Sequence, residues 1–360
     1  MLSKSASYRG CLLGLAVGDA MGYTVDKKSW EEICQDYGPN GLLGYDLANG
    51  CADVTSYTQL AAFVCNGLIL GTSRGNPAYY SRYISMAVQE WARSQQFRTV
   101  PEKTYCWVAQ VPALRRRLCM DTRMLDALRK ETLGTPDKPV FISASPGALT
   151  TAVAVGLCYD PEKMEPYHVG RLAAGAVALT HGDPVTFLSG AFLAYAIAGI
   201  LQEPELPLPG QFLRATEVVT EQFGAQFPQT EQLRAKIDRA LALTRDPEIT
   251  PLVAMTLLEC TSALDCLAGA VYASAIHAAN FDEAMIVSVN HSGRSAAVGA
   301  LTGAILGAKL GAEALPEFYL ESLEPAAVLE ELADDITEGR QLSRIFNDDW
   351  DQKYVQGLPV

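Results

Sequence analysis

The strongest constraint on this chain's fold is the small-residue spacing of its first helical stretch. From Tyr8 to Gly22 the sequence reads as an apolar helix. Gly10, Gly14, Ala16 and Gly18 remove side-chain bulk from it, so the backbone of a neighbouring helix can come close. Ala173 to Ala178 and Ala296 to Ala308 share this Ala/Gly character. Close helix packing is therefore expected, and no stretch reads as long and apolar enough to span a bilayer. With 49% hydrophobic and 19% charged residues, 360 residues hold ample material for one large core.

Helical periodicity continues along the chain. A second apolar helix is expected from Thr58 to about Leu70, and a third from Pro77 to about Gln96. Residues 30–52 read as turn-rich, with Gly-Pro-Asn-Gly at 38–41. Residues 97–150 read as irregular, with one short helix around Thr122 to Lys130 and a loop at 135–139 forced by two prolines. Further helices are expected over 164–181, 184–202, 210–223, 229–245, 262–280, 282–289, 295–312 and 325–338. Pro204 to Pro209 is a connector too short and apolar to separate folding units. No alternating run marks a strand. The expected fold class is all-α: a single-domain multi-helix bundle over residues 1–345, followed by a C-terminal tail, 346–360.

Charge and cysteine usage exclude several functions. A formal net charge of −13 argues against nucleic acid and against an anionic membrane surface as partners. The apolar N-terminal run is broken by Gly18, Asp19 and Gly22 and does not read as a secretory signal. Nine scattered cysteines without a C-x-x-C pair suit reduced, buried thiols better than zinc or a disulfide framework. The expected location is the cytoplasm.

Four segments, in order, carry a family resemblance. They are Gly10 to Gly22; Gly44 to Gly50 with Thr55-Ser56-Tyr57-Thr58-Gln59 shortly after; Ala178 to Pro184; and Asn290-His291-Ser292-Gly293-Arg294-Ser295-Ala296 leading into a small-residue helix. Together they resemble the ADP-ribosylglycohydrolases. The resemblance implies an all-α fold and, in active members, two Mg²⁺ ions held between helices. An N-terminal Thr/Ser-Asp-Asp-Thr motif and a C-terminal Gly-Asp-x-Asp-Thr/Ser motif supply the ligands. Hard divalent cations need such carboxylate oxygens, and bound ions can activate a water for hydrolysis.

Here the four expected carboxylates fall on Ser56, Tyr57, Arg294 and Ala296, and a hydroxyl falls on Ala297. Among the side-chain ligands so implied, Thr55 alone is retained. Arg294 would also bring a fixed positive charge to a cation's place, and two such charges ~4 Å apart repel by roughly 4 kcal/mol at an effective dielectric of 20. The family's two Mg²⁺ are therefore expected to be lost, with no metal or cofactor in their place. The family's glycine-rich diphosphate segment corresponds to Ile142 to Ala148, which lacks most of those glycines.

The degenerate pocket is thus expected to comprise Asp53, Thr55, Ser56, Tyr57, His291, Arg294, Ser295 and Ala296, with no assigned catalytic residue. Arg294 either binds an anionic group or pairs internally, with Asp53 the candidate partner. Tyr57 either meets a ligand or fills volume. His291 and His181 read as structural histidines, Asp19 as a cap or backbone partner, Asp334 and Asp335 as a solvated face, and Arg115 to Arg117 as exposed surface. Three functions follow: an inactive pseudoenzyme with a binding or structural role; a metal-independent glycosidic hydrolase using residues near His291, Arg294 and Asp53; or a pocket for another phosphorylated small molecule. A small anionic ligand or a protein is the expected partner.

Overall fold

A computed structural model describes residues 3–47, 50–73, 79–96, 104–129, 133–162, 164–342 and 348–354. Pro77, Ala48, Asn49 and Lys130, and residues 346–347 and 355–360 of the expected tail, which enter the expectations above, lie outside these residues. Among the described residues there are seventeen α-helices and no strand, with isolated bridges only at Ala52–Leu323 and Thr135–Lys138. The helices run α1 (Lys4–Val25), α2 (Trp30–Tyr37), α3 (Ser56–Ser73), α4 (Tyr80–Ser94), α5 (Thr122–Arg129) and α6 (Leu149–Leu157). They continue with α7 (Pro166–Ala178), α8 (Pro184–Gln202), α9 (Leu208–Phe223), α10 (Thr230–Leu243), α11 (Pro251–Leu258) and α12 (Ala263–Ile276). The last are α13 (Phe281–Val289), α14 (Ser295–Leu310), α15 (Glu317–Glu321), α16 (Ala326–Leu342) and α17 (Asp348–Tyr354). The all-α multi-helix bundle is the architecture observed.

The centre of the bundle is the antiparallel pair α1 and α14. A Cβ added at Gly10, Gly14, Gly18 or Gly22 would stand 2.2, 2.2, 1.9 or 2.3 Å from the carbonyl oxygen of Gly307, Gly303, Gly299 or Ser295. The reverse holds for Gly299, Gly303 and Gly307 against the backbone of α1. The two backbones are in direct contact, which only glycine at these positions permits. Both helices are apolar all round and buried on nearly every face, as a central pair must be.

Around this pair, α3 packs on α1, α6 and α4, while α7, α6 and α9 wrap α8. Helix α8 is long and apolar enough by itself to cross a membrane, contrary to the sequence expectation, yet its apolar surface is largely buried inside the bundle. Asp183 caps it by accepting from the Thr186 N–H at 3.0 Å, with Pro184 in the first turn.

Several elements depart from the sequence reading. Residues 30–37 form a helix, not a turn, because Ser29 and Glu32 close a reciprocal capping box. Helices α6, α11 and α15 also arise outside the ranges expected. The segment read as tail contributes α17, whose Trp350 and Tyr354 are buried. Trp350 Nε1 donates to Ser73 Oγ at 3.0 Å, and the Tyr354 hydroxyl donates to Asp335 at 2.6 Å while accepting from Trp107 Nε1 at 2.9 Å. Asp335 is therefore a buried anchor, not a solvated face, and Asp334 accepts from Arg9 Nε and Ser5 Oγ, both at 2.8 Å.

Replacing Gly18 by Ala should lower the unfolding free energy by about 1–3 kcal/mol or more, because the methyl must displace a backbone carbonyl. Gly175 on α7 has nothing within 4 Å of its missing Cβ. Gly175→Ala should instead be neutral or stabilising by roughly 0.5–1 kcal/mol, through helix propensity. Urea unfolding midpoints of the two variants check the contrast.

Candidate functional site

The start of α3 carries Thr55-Ser56-Tyr57-Thr58, and Asp19 reaches it from the middle of α1. The Asp19 carboxylate accepts from the Thr55 N–H at 2.8 Å, the Thr55 hydroxyl at 2.7 Å, the Thr58 N–H at 3.1 Å and the Thr58 hydroxyl at 2.6 Å. It thereby satisfies free N–H groups at a helix N-terminus from another helix. Burial pushes its pKa up to about 6, and these four bonds oppose the rise. The one retained ligand residue, Thr55, is thus engaged with a neighbouring helix. Ser56 is covered as well: its N–H donates to Leu118 O at 2.9 Å, and its hydroxyl accepts from the Met120 N–H at 3.0 Å.

Opposite stands the N-terminus of α14. Asp26, just past the end of α1, accepts from the Ala296 N–H at 3.2 Å and lies 3.5 Å from Arg294 Nε. Arg294 Nη2 also donates to the Tyr57 hydroxyl at 3.3 Å and to Met120 O at 3.4 Å. The Arg294 and Asp26 side chains are only 16% and 5% exposed, so this is a buried ion pair. Burial raises the Asp26 pKa and Arg294 opposes it most strongly. Burial also works against the guanidinium charge, but Tyr57 and Asp26 beside it keep its pKa above the ordinary value. The structure thus brings Thr55, Ser56, Tyr57, Arg294 and Ala296 into one junction, Tyr57 being 1% exposed and packed as filler.

Asp53 does not join them as Arg294's partner. It pairs with Arg116, which also holds Glu324. Arg116 is therefore committed to ion pairs, and Arg117 donates to Gln96 O at 2.7 Å.

His291 is 2% exposed, with Nε2 3.0 Å from Ser288 O and Nδ1 without a hydrogen-bond partner. Burial lowers its pKa to about 4, so it is neutral near pH 7. The Ser295 hydroxyl is likewise buried and unpartnered. His181 lies 3.2 Å from Asp121, which also accepts from the Ser145 hydroxyl at 2.6 Å. In this way the Ile142 to Ala148 segment packs on a carboxylate, and Gly147 is the glycine that its approach requires.

These residues do not fit a dinuclear Mg²⁺ centre. Thr55 Oγ1 is directed at Asp19, a guanidinium occupies the junction, and among the described residues no group of three His, Cys, Asp or Glu side chains could hold a metal. Sequence reasoning missed Asp26, Asp121 and the Met120 carbonyl. Asp26 follows Gly22 by about one helical turn, which marks a side chain at the mouth of the α1–α14 contact; backbone carbonyls leave no such signal.

The pKa of His291 gives a pH prediction. The unfolded chain binds this proton near pH 6.5 and the folded chain only near 4, so its contribution is fully present above about 6.5 and lost as pH falls through about 4. A shift of this size corresponds to about 3 kcal/mol at most. His291→Asn should flatten that acid limb when unfolding is followed by circular dichroism at successive pH values.

Comparison with known proteins bears on the family and the fold. No curated protein matches the sequence. Among solved structures, the chain is similar to one titled "ADP-ribosylglycohydrolase-related protein complex", at 23% identity and a TM-score of 0.57. The match covers 93% of this chain and 98% of that one, which shows a shared fold. The family model described as ADP-ribosylglycohydrolase matches residues 3–345. With nearly its whole length matched, the chain belongs to the ADP-ribosylglycohydrolase family.

Proposed function

We propose that this family member is a pseudoenzyme: it keeps the ADP-ribosylglycohydrolase scaffold, lacks the dinuclear metal chemistry, and acts through binding or as a structural component. The observation that carries this reading is the buried Arg294–Asp26 pair, wedged against the Tyr57 hydroxyl and the Met120 carbonyl between the starts of α3 and α14. A cation there would face a guanidinium instead of the several anionic oxygens that offset its dehydration. The reading includes a cytoplasmic setting, in keeping with cysteines that are all free among the described residues. A protein partner or a small anionic ligand remains the proposed type of partner.

A metal-independent hydrolase built on His291, Arg294 and Asp53 has less support. His291 is buried and neutral, and Asp53 is held by Arg116.

Two measurements test the proposal. Titration of the full chain with MgCl₂ in a calorimeter should give no saturable heat, and a panel of ADP-ribosylated substrates should show no turnover with or without EDTA. Tight Mg²⁺ binding abolished by Thr55→Ala, or turnover stopped by EDTA, would refute it; turnover persisting in EDTA would favour the hydrolase.

Arg294 should also prove structural. Arg294→Ala leaves the Asp26 carboxylate buried without its cation and should cost about 3–5 kcal/mol near neutral pH. The loss should shrink as the pH is lowered and Asp26 takes up a proton, as read from thermal unfolding at several pH values.

A further inference from the structure

A cavity of about 130 Å³ lies between the end of α1 and the loop that leads into α3. Ala20 and Ala52, both buried, line it together with Tyr23, Tyr45, Asp46 and Asp53. Ala20 stands two residues on from Gly18, which faces α14, and two residues turn a helix by about 200°. The cavity is therefore on the side of α1 away from that seam, apart from the Arg294 junction.

Its walls are held from behind. Tyr319 packs edge-on against Tyr45 with ring centroids 5.2 Å apart. The Tyr37 hydroxyl donates to Asp46 at 2.8 Å, the Ala52 N–H donates to Ser322 O at 2.9 Å, and Arg116 pairs with Asp53. The site is thus formed before any ligand arrives, which lowers the cost of binding. One polar group is left over: the Tyr45 hydroxyl is buried and has no hydrogen-bond partner among the described residues.

No lysine, arginine or histidine lines the cavity. Arg116 meets Asp53 from outside and is shared with Glu324, so it leaves the surroundings negative once Asp46 is added. Acceptor oxygens, negative charge and aromatic walls call for a ligand with N–H donors, positive charge and a short apolar stem. We propose that this cavity binds an alkylammonium group, either a free small amine or the end of a lysine side chain of a protein. A cavity of ~150 Å³ takes benzene, so a chain of about five heavy atoms fits this one. The ammonium donates to Asp46 and Asp53, the stem lies against the tyrosines, and the Tyr45 hydroxyl supplies an acceptor that the protein leaves unused. A bare metal ion is not matched, because no group of three His, Cys, Asp or Glu side chains among the described residues could hold one.

Calorimetric titration of the native full chain with n-butylammonium chloride, at constant ionic strength, tests the assignment independently of the Mg²⁺ and turnover measurements. Saturable binding is expected, and n-butanol, which has the stem without the charge, should give none. Asp46→Asn should weaken binding about tenfold and Tyr45→Phe roughly threefold. Asp238→Asn, at an exposed position on α10, should leave it unchanged. Circular dichroism confirms that each variant is folded. Nα-acetyl-lysine amide separates the two sources: affinity equal to or above that of n-butylammonium assigns the cavity to a protein lysine, and exclusion assigns it to a free amine. Absence of saturable heat with n-butylammonium, equal binding of n-butanol, or unchanged affinity in Asp46→Asn would overturn the proposal and leave a water-filled recess.

Discussion

The contact between the backbones of α1 and α14 is what the rest of the molecule is arranged around. Glycines facing carbonyls along the whole seam leave neither helix room to slide, since a shift by one residue would drive side chains into backbone. That fixed register sets Asp19 opposite the start of α3 and Asp26 opposite the start of α14. Two carboxylates on or just beyond one helix therefore cap two others. The junction inherits its geometry from helix packing.

On the proposed reading, the same junction keeps the family scaffold while carrying different electrostatics. Where the family motifs place carboxylates, this chain has Ser56, Tyr57, Arg294 and Ala296. The replacements fit together: the guanidinium finds Asp26, the phenol fills volume and accepts from Arg294, and Ser56 is stitched to Leu118 and Met120. Each polar group brought in has an internal partner, although the contacts of Arg294 are long and its Nε lacks a well-aligned acceptor.

Much of the bundle was legible in the sequence because apolar periodicity and Gly/Pro punctuation act locally. Helices α5 (Thr122–Arg129), α8 (Pro184–Gln202) and α14 (Ser295–Leu310) were recognisable on those grounds, and ordered family segments tied them into one fold. The misses have local causes too: α2 was passed over although Ser29-x-x-Glu32 announces a capping box, and α8 is more uniformly apolar than its reading allowed. The site was legible only by half. Tyr57 and Arg294 stand in recognisable motifs, but their partners come from distant segments. Asp26 lies more than two hundred residues from Arg294, and Met120 contributes only its backbone, which any residue could supply. Pairing Arg294 with Asp53 was the reading sequence proximity to the motif suggested; the packing of α1 on α14 decided for Asp26 instead.

The seam between α1 and α14 also has a consequence in time. During synthesis α1 leaves the ribosome with a bare, glycine-lined strip that in the folded protein lies against α14, and the chain from Asp26 to Arg294 must be made before α14 appears. At about 5–20 residues per second that wait lasts roughly 15–50 s. The nascent chain must therefore carry the glycine face of α1 without its α14 partner through most of its elongation, which leaves that face open to capture by chaperones or by another unfinished chain.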